Sequence, residues 1–462
     1  MAQLKNYNFS ANLHIFSIKG NDFILDVNSG AVHRLDPIAR QYLKKLIETD
    51  GDWERVDMVL GAEYSTEVIA ETRQEIEDVA AQDGLFTSDD GEMENFDYGF
   101  GVPKAICLNV AHLCNMRCAY CFAKQGSFGE ETGLMSQETA KQAIDFLINA
   151  SQGRKHLELD FFGGEPLLNL SVVSETVRYA RDKAAQAGKE FSFTLTTNGL
   201  KLDADVQKYL IKEGLAVILS LDGRPQVNDH MRQLPNGQGT YDLILPEFKS
   251  IVAMNPTSYY VRGTFTSKNL DFVEDFKHMV ELGFENISLE PVTGGDAELA
   301  LTEEHLPLIF SQYEELAASL LDYHRQGKSV NFFHFNLDLS RGPCLSKRMT
   351  GCGAGVEYLA ITPTGDIYPC HQFIGNPQFK MGKVDSPGLN EELVRQFAGN
   401  TLASKKCQSC WARFYCGGGC HAAAYFENGS MAIPNDLTCR MHKKRLECSF
   451  YLASEKLGGE GN

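Results

Sequence analysis

The chain has 462 residues, of which 43% are apolar and 23% charged, and this is enough for two to four soluble globular domains. It has no run of about 18 apolar residues and no apolar segment after Met1, so the sequence predicts a cytoplasmic protein without a membrane span or a secretory signal. The net charge of −18 argues against nucleic acid as a partner, and thirteen cysteines in a reducing compartment favour metal sites over disulfides.

Residues 1–94 predict a small domain in which strands precede helices. Three short apolar runs with partial alternation indicate strands, and a turn at residues 28–30 separates the last two. These runs lie at residues 13–15, 23–27 and 31–35. Asp36-Pro37 is typical of a helix N-cap followed by proline, and residues 66–81 have helical periodicity.

Acidic residues are concentrated in the second half of this module. Residues 87–98 are acidic and lack apolar periodicity, so they predict a linker. Residues 48–97 contain 17 Asp and Glu against two Arg. This excess indicates either a solvated acidic face or a surface that attracts a basic peptide.

Residues 102–301 alternate six apolar runs with amphipathic segments, which predicts an α/β fold with a parallel sheet and right-handed crossovers. The predicted strands span residues 105–110, 157–162, 191–196, 216–221, 259–264 and 286–291. Helices are predicted at 136–150, with Ser136 as the N-cap, and at 170–186. The periodicity leaves open whether the sheet forms a full barrel, a partial barrel or an open sheet. In each case, functional residues are expected at the C-terminal ends of the strands.

Three cysteines follow the first of these strands at a spacing suited to a metal cluster. Cys114, Cys118 and Cys121 form a C-x3-C-x2-C pattern in one loop. Three thiolates on a four-iron cluster leave one iron open, whereas electron-transfer clusters usually take four. An open iron can chelate a small molecule through an amine and a carboxylate. The alternatives are a zinc site, or a fourth thiolate from elsewhere in the chain.

The segment CNMRCAYC at residues 114–121 resembles the signature of the radical S-adenosylmethionine (SAM) superfamily. FGGEP, TTNG, SLDG and the arginine of HMRQLPNGQGTY follow in the order of that family. The resemblance implies a partial (β/α)6 barrel that reductively cleaves SAM to a 5′-deoxyadenosyl radical. It also implies a set of SAM-binding residues, namely Tyr120, Gly163, Gly164, Glu165, Pro166, Asn198, Ser220 and Arg232.

The resemblance assigns a role to each of these positions. Tyr120 would pack near the adenine, and the GGEP segment would hold the methionine amino group. Asn198 and Ser220, at the ends of two strands, would contact the ribose and the carboxylate. Arg232 would pair with the carboxylate, a task suited to a fixed cationic fork.

Residues 302–462 open with a helical stretch and then become rich in cysteine and glycine. The spacing of these cysteines resembles that of the SPASM domain of peptide-modifying radical enzymes. The resemblance implies two auxiliary four-iron clusters, and therefore three [4Fe-4S] clusters in all. Auxiliary cluster I would be held by Cys344, Cys352, Cys370 and Cys420. Auxiliary cluster II would be held by Cys407, Cys410, Cys416 and Cys439. Two four-thiolate zinc sites are the alternative. Cys107 is expected in the core, and Cys448 has no predicted role.

The first 94 residues resemble the RiPP recognition element, a small winged-helix-like module that precedes many peptide-modifying enzymes. In that family a leader peptide adds to the edge of the sheet as an extra strand. The alternative is a domain that only packs or dimerises.

The order of the three parts resembles the thioether-forming maturases of the SCIFF and ranthipeptide families. This implies a Cys-containing precursor peptide with a leader as substrate, and an electron donor such as flavodoxin or ferredoxin. Peptide thiolates are thought to bind an open iron of auxiliary cluster I in some members, so we expect Cys344 to be off that cluster or exchangeable. His371 is a candidate base for the peptide thiol or a residue of the surroundings, so no catalytic residue is assigned.

Other functions share parts of this pattern. Dehydrogenation of a protein residue, as in sulfatase maturation, and carbon–carbon cross-linking of a peptide are the enzymatic alternatives. A non-catalytic iron–sulfur electron carrier is the alternative outside enzymes, although a carrier needs no SAM pocket.

Overall fold

The computed structural model describes residues 4, 7–88, 101–129, 132–293, 296–337, 339, 349, 351–386, 388–405 and 407–459. The predicted ligand Cys344 and residues 89–98 of the predicted linker lie outside these ranges. No helix in the described part of the chain is long and apolar enough to cross a membrane.

The N-terminal part contains the predicted strands and helices, together with two helices that the sequence did not predict. A short helix precedes three antiparallel strands in the order β1-β2-β3, and three further helices follow. The bounds are α1 (Phe9–Asn12), β1 (Leu13–Ile18), β2 (Asn21–Asp26), β3 (Val32–Leu35), α2 (Pro37–Glu48), α3 (Trp53–Leu60) and α4 (Thr66–Ala81). The Asp36 carboxylate accepts a hydrogen bond from the Ala39 N–H, which confirms the N-cap of α2. Helices α1 and α3 were not predicted.

The two faces of this small sheet belong to different cores. Leu13 and Ile24 pack with α2, α3 and α4 in a core of the N-terminal part. Phe16, Ile18 and Phe23 instead join the large core of the molecule. The module is therefore packed against the rest of the chain on its second face.

The central part forms six parallel strands that are neighbours in the order in which the chain makes them. The strands are β4 (Ala105–Ala111), β6 (His156–Gly163), β7 (Glu190–Thr197), β8 (Ala216–Ser220), β10 (Tyr259–Phe265) and β11 (Asn286–Pro291). Each lies within one residue of its predicted bounds. A separate two-stranded ribbon pairs β5 (Arg117–Cys118) with β9 (Arg232–Gln233).

Helices follow the strands and supply apolar residues to the same core. They are α5 (Gln137–Ala150), α6 (Leu170–Ala187), α7 (Ala204–Lys212), α8 (Pro225–Met231), α9 (Tyr241–Ala253) and α10 (Phe272–Glu281). The Ser136 hydroxyl accepts a hydrogen bond from the Thr139 N–H, so the predicted cap of α5 is confirmed.

The C-terminal part extends the central sheet at both of its edges. Its elements are α11 (Leu306–Arg325), β12 (Asn331–Phe332), β13 (Tyr358–Ile361), β14 (Asp366–Tyr368), β15 (Gly382–Lys383), α12 (Glu391–Ala398), α13 (Arg413–Cys416), α14 (His421–Asn428) and α15 (Asp436–Gly459). Strand β12 pairs with β11, and β13 pairs in parallel with β4. The result is one ten-stranded sheet in the order β12-β11-β10-β8-β7-β6-β4-β13-β14-β15. In the described residues the six central strands form an open series, since their two outer members pair with C-terminal strands.

Candidate functional site

The three cysteines after β4 line one cavity of about 220 Å³ at the C-terminal ends of the parallel strands. The Cys114 Sγ accepts hydrogen bonds from the Met116 N–H at 3.4 Å and from the Asn198 side-chain amide at 3.7 Å. Cys118 lies opposite Arg232 in the β5–β9 ribbon. Burial raises the pKa of the Cys114 thiol to about 11. The Cys114 thiol is therefore neutral here unless a metal takes the place of the proton.

Two glycines at the end of β6 allow the cluster loop to lie directly against the strand. Gly163 has φ +131°, and a Cβ there would lie 2.3 Å from the Ala111 carbonyl oxygen. A Cβ on Gly164 would lie 2.2 Å from the Leu113 carbonyl oxygen. The structure gives a steric reason for these glycines, which is the close approach of the end of β6 to the backbone that leads into Cys114.

Glu165 is fully buried at the edge of this cavity and is held by three hydrogen bonds. Its carboxylate accepts from the Thr197 hydroxyl at 2.8 Å, the Asn198 N–H at 2.8 Å and the Leu167 N–H at 3.0 Å. Burial raises the pKa of Glu165 to about 7, although the three donors act in the opposite direction. The carboxylate is therefore fixed in one orientation towards the cavity.

Asp222 joins two of the predicted residues into one group. Its carboxylate oxygens accept from the Tyr120 hydroxyl at 2.9 and 2.8 Å, and the Arg232 Nε lies 3.1 Å from Oδ2. The Thr264 N–H donates to Oδ1 at 2.9 Å. The Arg232 guanidinium also lies over the Tyr120 ring, 5.5 Å from its centroid. Tyr120 and Arg232 are thus oriented by a buried carboxylate that the sequence argument did not select.

The other end of the cavity is formed by Arg262 of β10 and Glu290 of β11, and His371 also lines the cavity. The His371 ring packs between Phe122 and Phe162, with centroids 5.4 and 5.1 Å away. Burial and, to a smaller extent, the charge of Arg262 lower the pKa of His371 to about 4. His371 is the residue next to the predicted ligand Cys370, so the first auxiliary group of cysteines adjoins this cavity.

Glu290 is the anionic group at this end. Burial alone would raise its pKa, but His334 at 3.0 Å, Arg262 and Arg445 lower it to about 2. The carboxylate is therefore ionised at neutral pH, and it is too weak a base to take a proton from a thiol.

The C-terminal cysteines form two groups. Cys407, Cys410, Cys416 and Cys439 all line one small cavity of about 30 Å³. Burial raises the pKa of Cys370, and the neighbouring thiols of Cys352 and Cys420 raise it further. In the described residues, no group of three or more His, Cys, Asp or Glu side chains is placed to hold a metal ion. Cys107 and Cys448 are buried in the core.

Comparison with known proteins finds a family match in the part of the chain that carries the cluster loop. Residues 108–253 match the sequence model of the radical SAM superfamily. This central part of the chain therefore has the sequence signature of that superfamily. The mycofactocin maturase MftC of Mycobacterium ulcerans (strain Agy99) is 26% identical, over 72% of this chain and 87% of that protein.

Two solved structures share the fold of this chain. The native enzyme anSMEcpe with bound AdoMet has a TM-score of 0.61 and 19% identity, over 75% of this chain and 97% of that one. Streptococcus suis SuiB bound to S-adenosylmethionine has a TM-score of 0.54 and 15% identity, over 93% of this chain and 98% of that one. SuiB therefore matches the fold along nearly the whole chain.

The chemistry of the side chains that line the cavity fits a three-thiolate cluster and the amino acid part of SAM, although the three described thiols are not placed to hold a single metal ion. Three thiols from one short loop face the cavity, which is the donor set that leaves one iron of a four-iron cluster open. Glu165 offers a carboxylate to an amine, and Arg232 offers a guanidinium to a carboxylate. The eight predicted SAM-binding residues remain predictions; all of them except Pro166 line this cavity.

Three residues of the site were missed by the sequence argument. Asp222 stands in the SLDG segment, two residues after Ser220, and an acidic residue at the end of an apolar strand was a signal for it. Arg262 and Glu290 lie within predicted strands, where a single charged residue has no signature. Only the placement of β10 and β11 beside β8 brings them to the cavity.

Proposed function

We propose that the protein is a radical SAM maturase that forms thioether bridges in a ribosomally made, Cys-containing precursor peptide. The observation that carries the proposal is the contiguity of two groups of cysteines. Cys114, Cys118 and Cys121 line the reaction cavity, and so does His371, which directly follows Cys370 of the predicted first auxiliary group. A site that would make a radical would thus adjoin a site that could accept an electron.

The chain's own residues divide the work of holding SAM. Cys114, Cys118 and Cys121 would ligate the cluster, Glu165 would accept from the methionine amine, and Arg232 would pair with the carboxylate. Asp222 holds Tyr120 and Arg232 in place for this. When bound, SAM and its cluster supply the radical that removes a hydrogen atom from the peptide.

A thioether bridge requires the peptide to lose two hydrogens. One leaves a carbon of the acceptor residue as a hydrogen atom, and the other leaves the cysteine thiol as a proton. One electron remains when the sulfur bonds to that carbon, and it must pass to a one-electron acceptor of the iron–sulfur class. Two auxiliary clusters, held by the cysteines of the C-terminal part, would provide this acceptor.

The N-terminal module would select the peptide. Strand β3 (Val32–Leu35) is a half-exposed edge of the three-stranded sheet, and an edge strand can pair with an extended peptide. Helices α3 and α4 carry acidic residues of the 48–97 excess, which suits a basic leader. SuiB, which matches the fold over this module as well, has also been solved bound to its precursor peptide SuiA.

The first experiment tests the radical chemistry and then its product. The protein is incubated anaerobically with SAM, a reductant and a Cys-rich peptide encoded beside it. We expect 5′-deoxyadenosine, and a peptide lighter by two hydrogens per bridge. Cys114→Ala is the matched control and should form neither. No 5′-deoxyadenosine from the wild-type protein would refute the radical assignment.

Alkylation of the product with iodoacetamide separates the possible bonds. A thioether cysteine has no free thiol and is not alkylated. The mass of the bridged peptide therefore stays lower than that of the precursor by two hydrogens per bridge. A carbon–carbon cross-link gives the same loss of two hydrogens, but its cysteines are alkylated. Conversion of a cysteine to an aldehyde, as in sulfatase maturation, removes the sulfur. Either of the last two results would replace the thioether assignment.

A further inference from the structure

The end of the reaction cavity formed by β10 and β11 carries an excess of positive charge. Arg262 Nη2 lies 3.6 Å from the Glu290 carboxylate, and Arg445 Nη1 lies 3.9 Å from its other oxygen. Burial lowers the pKa of His334, so this third neighbour of Glu290 is neutral near pH 7. Two guanidinium groups therefore face one carboxylate, and the group has a net charge of about +1.

Arg262 is the member of this group that has free donors. Its side chain is 51% exposed and lines the cavity. Its nearest described partner is Glu290, at a distance beyond that of a hydrogen bond. The residues opposite it on the neighbouring strands, Ser220 and Ser288, are uncharged. The guanidinium can therefore receive an anion that enters the cavity.

The carboxylate of SAM is assigned to a different arginine. Arg232 pairs with Cys118 across the β5–β9 ribbon, and its charge lowers the pKa of that thiol against the effect of burial. Arg262 instead lines the cavity together with His371, the residue that directly follows the predicted ligand Cys370. A molecule of SAM has one carboxylate, so an anion bound by Arg262 would have to come from the peptide.

We propose that Arg262 binds the substrate cysteine as its thiolate and thereby prepares the sulfur for bond formation. The inference rests on the proposed function and deepens it. The thiol must lose its proton before the thioether is complete, and Glu290 is too weak a base to accept this proton because its neighbours lower its pKa to about 2. The guanidinium stabilises the thiolate, and the proton leaves to water.

The pH dependence of bridge formation tests this role. A cationic neighbour lowers the pKa of a thiol of about 8.5 by roughly one unit or more, so it raises the thiolate fraction at pH 7 about tenfold. In Arg262→Gln we expect bridge formation at pH 7 to be about tenfold slower and to recover towards the wild-type rate near pH 9. Arg262→Lys keeps the charge and should recover part of the rate at pH 7. Arg178→Gln, which changes an exposed arginine of α6, should keep the wild-type profile.

The outcomes separate this role from others. An alkaline shift of the profile in Arg262→Gln supports it. An equal loss at every pH, or a loss that disappears when SAM is raised, overturns it, because the anion would then be a peptide or SAM carboxylate. An unchanged profile overturns it as well. If the wild-type protein cleaves SAM but forms no bridge at any pH, the thioether assignment itself fails, and no thiolate is required.

Discussion

At the scale of single residues, the glycine pair at the end of β6 makes a prediction about cluster binding. In Gly164→Ala the added methyl group would lie 2.2 Å from the Leu113 carbonyl oxygen, so the loop that carries Cys114 must move. Overpacking of this kind costs about 1–3 kcal/mol. We expect a lower melting temperature and a lower iron content after reconstitution, measured by thermal denaturation and iron analysis.

Gly153 provides the matched control for this substitution. It lies in the turn after α5, and an added Cβ would meet no atom within 4 Å. Gly153→Ala should therefore keep the wild-type melting temperature and iron content. Equal behaviour of the two variants would contradict the steric role of Gly164.

The residues of the site differ in how far the sequence predicts them. Cys114 and Glu165 stand in short motifs, and short motifs are visible without knowledge of the fold. Asp222, Arg262 and Glu290 act through contacts between segments that are 28 to 102 residues apart, as in the bonds of Asp222 with Thr264 and Tyr120 and the pair of Arg262 with Glu290. Such partners are set by the order of the strands, which a single sequence does not state.

At the scale of elements, one arginine joins the N-terminal module to the cysteine-rich part. Arg413 is 2% exposed and lies between Cys410 and Cys416. It donates to the Ala11 carbonyl at 2.6 Å, and to the side chains of Asn12 at 2.9 Å and Asn28 at 2.7 Å. The loop that would hold auxiliary cluster II is thus hydrogen-bonded to both ends of the β1–β2 hairpin.

Arg413→Met is expected to loosen this junction. It leaves buried acceptors without a donor, which costs about 1–3 kcal/mol for each acceptor. Amide hydrogen exchange in β1 and β2 should therefore become about tenfold faster or more, measured by mass spectrometry. Arg395→Met removes a 63% exposed arginine that pairs with Glu391, and it should leave this exchange unchanged. Wild-type exchange in Arg413→Met would show that the junction does not depend on this residue.

The elements found from the sequence are those whose pattern is local. The six parallel strands are short apolar runs bounded by turns, and helix α2 has a cap and a proline, so each was predicted with close bounds. Strand β13 was missed, although all its residues are apolar or aromatic. It is defined by its pairing with β4, about 250 residues earlier in the chain. Helix α3 has only eight residues, too few for a clear period.

At the scale of the whole molecule, the three predicted parts share one framework. The N-terminal sheet places Phe16, Ile18 and Phe23 in the large core. The C-terminal part supplies four strands to the central sheet. One of them, β12, pairs with β11, and the other three extend the sheet from β4 in the order β13-β14-β15. Strand β4 leads directly into the cluster loop, so the site that would make the radical depends on the last third of the chain for its support.

Truncation tests this dependence. A chain that ends at residue 337 keeps Cys114, Cys118 and Cys121 but lacks β13, so the edge of β4 is left unpaired at Ala105–Leu108. Unpaired edges of buried strands favour aggregation. We expect the truncated chain to be insoluble, or to bind no cluster after reconstitution. Cys439→Ala keeps β13 and removes a predicted ligand of auxiliary cluster II, so it should stay soluble and lose about four irons per chain. A soluble truncated chain with an intact cluster would show that the central strands stand alone, and the C-terminal part would then serve the auxiliary clusters only.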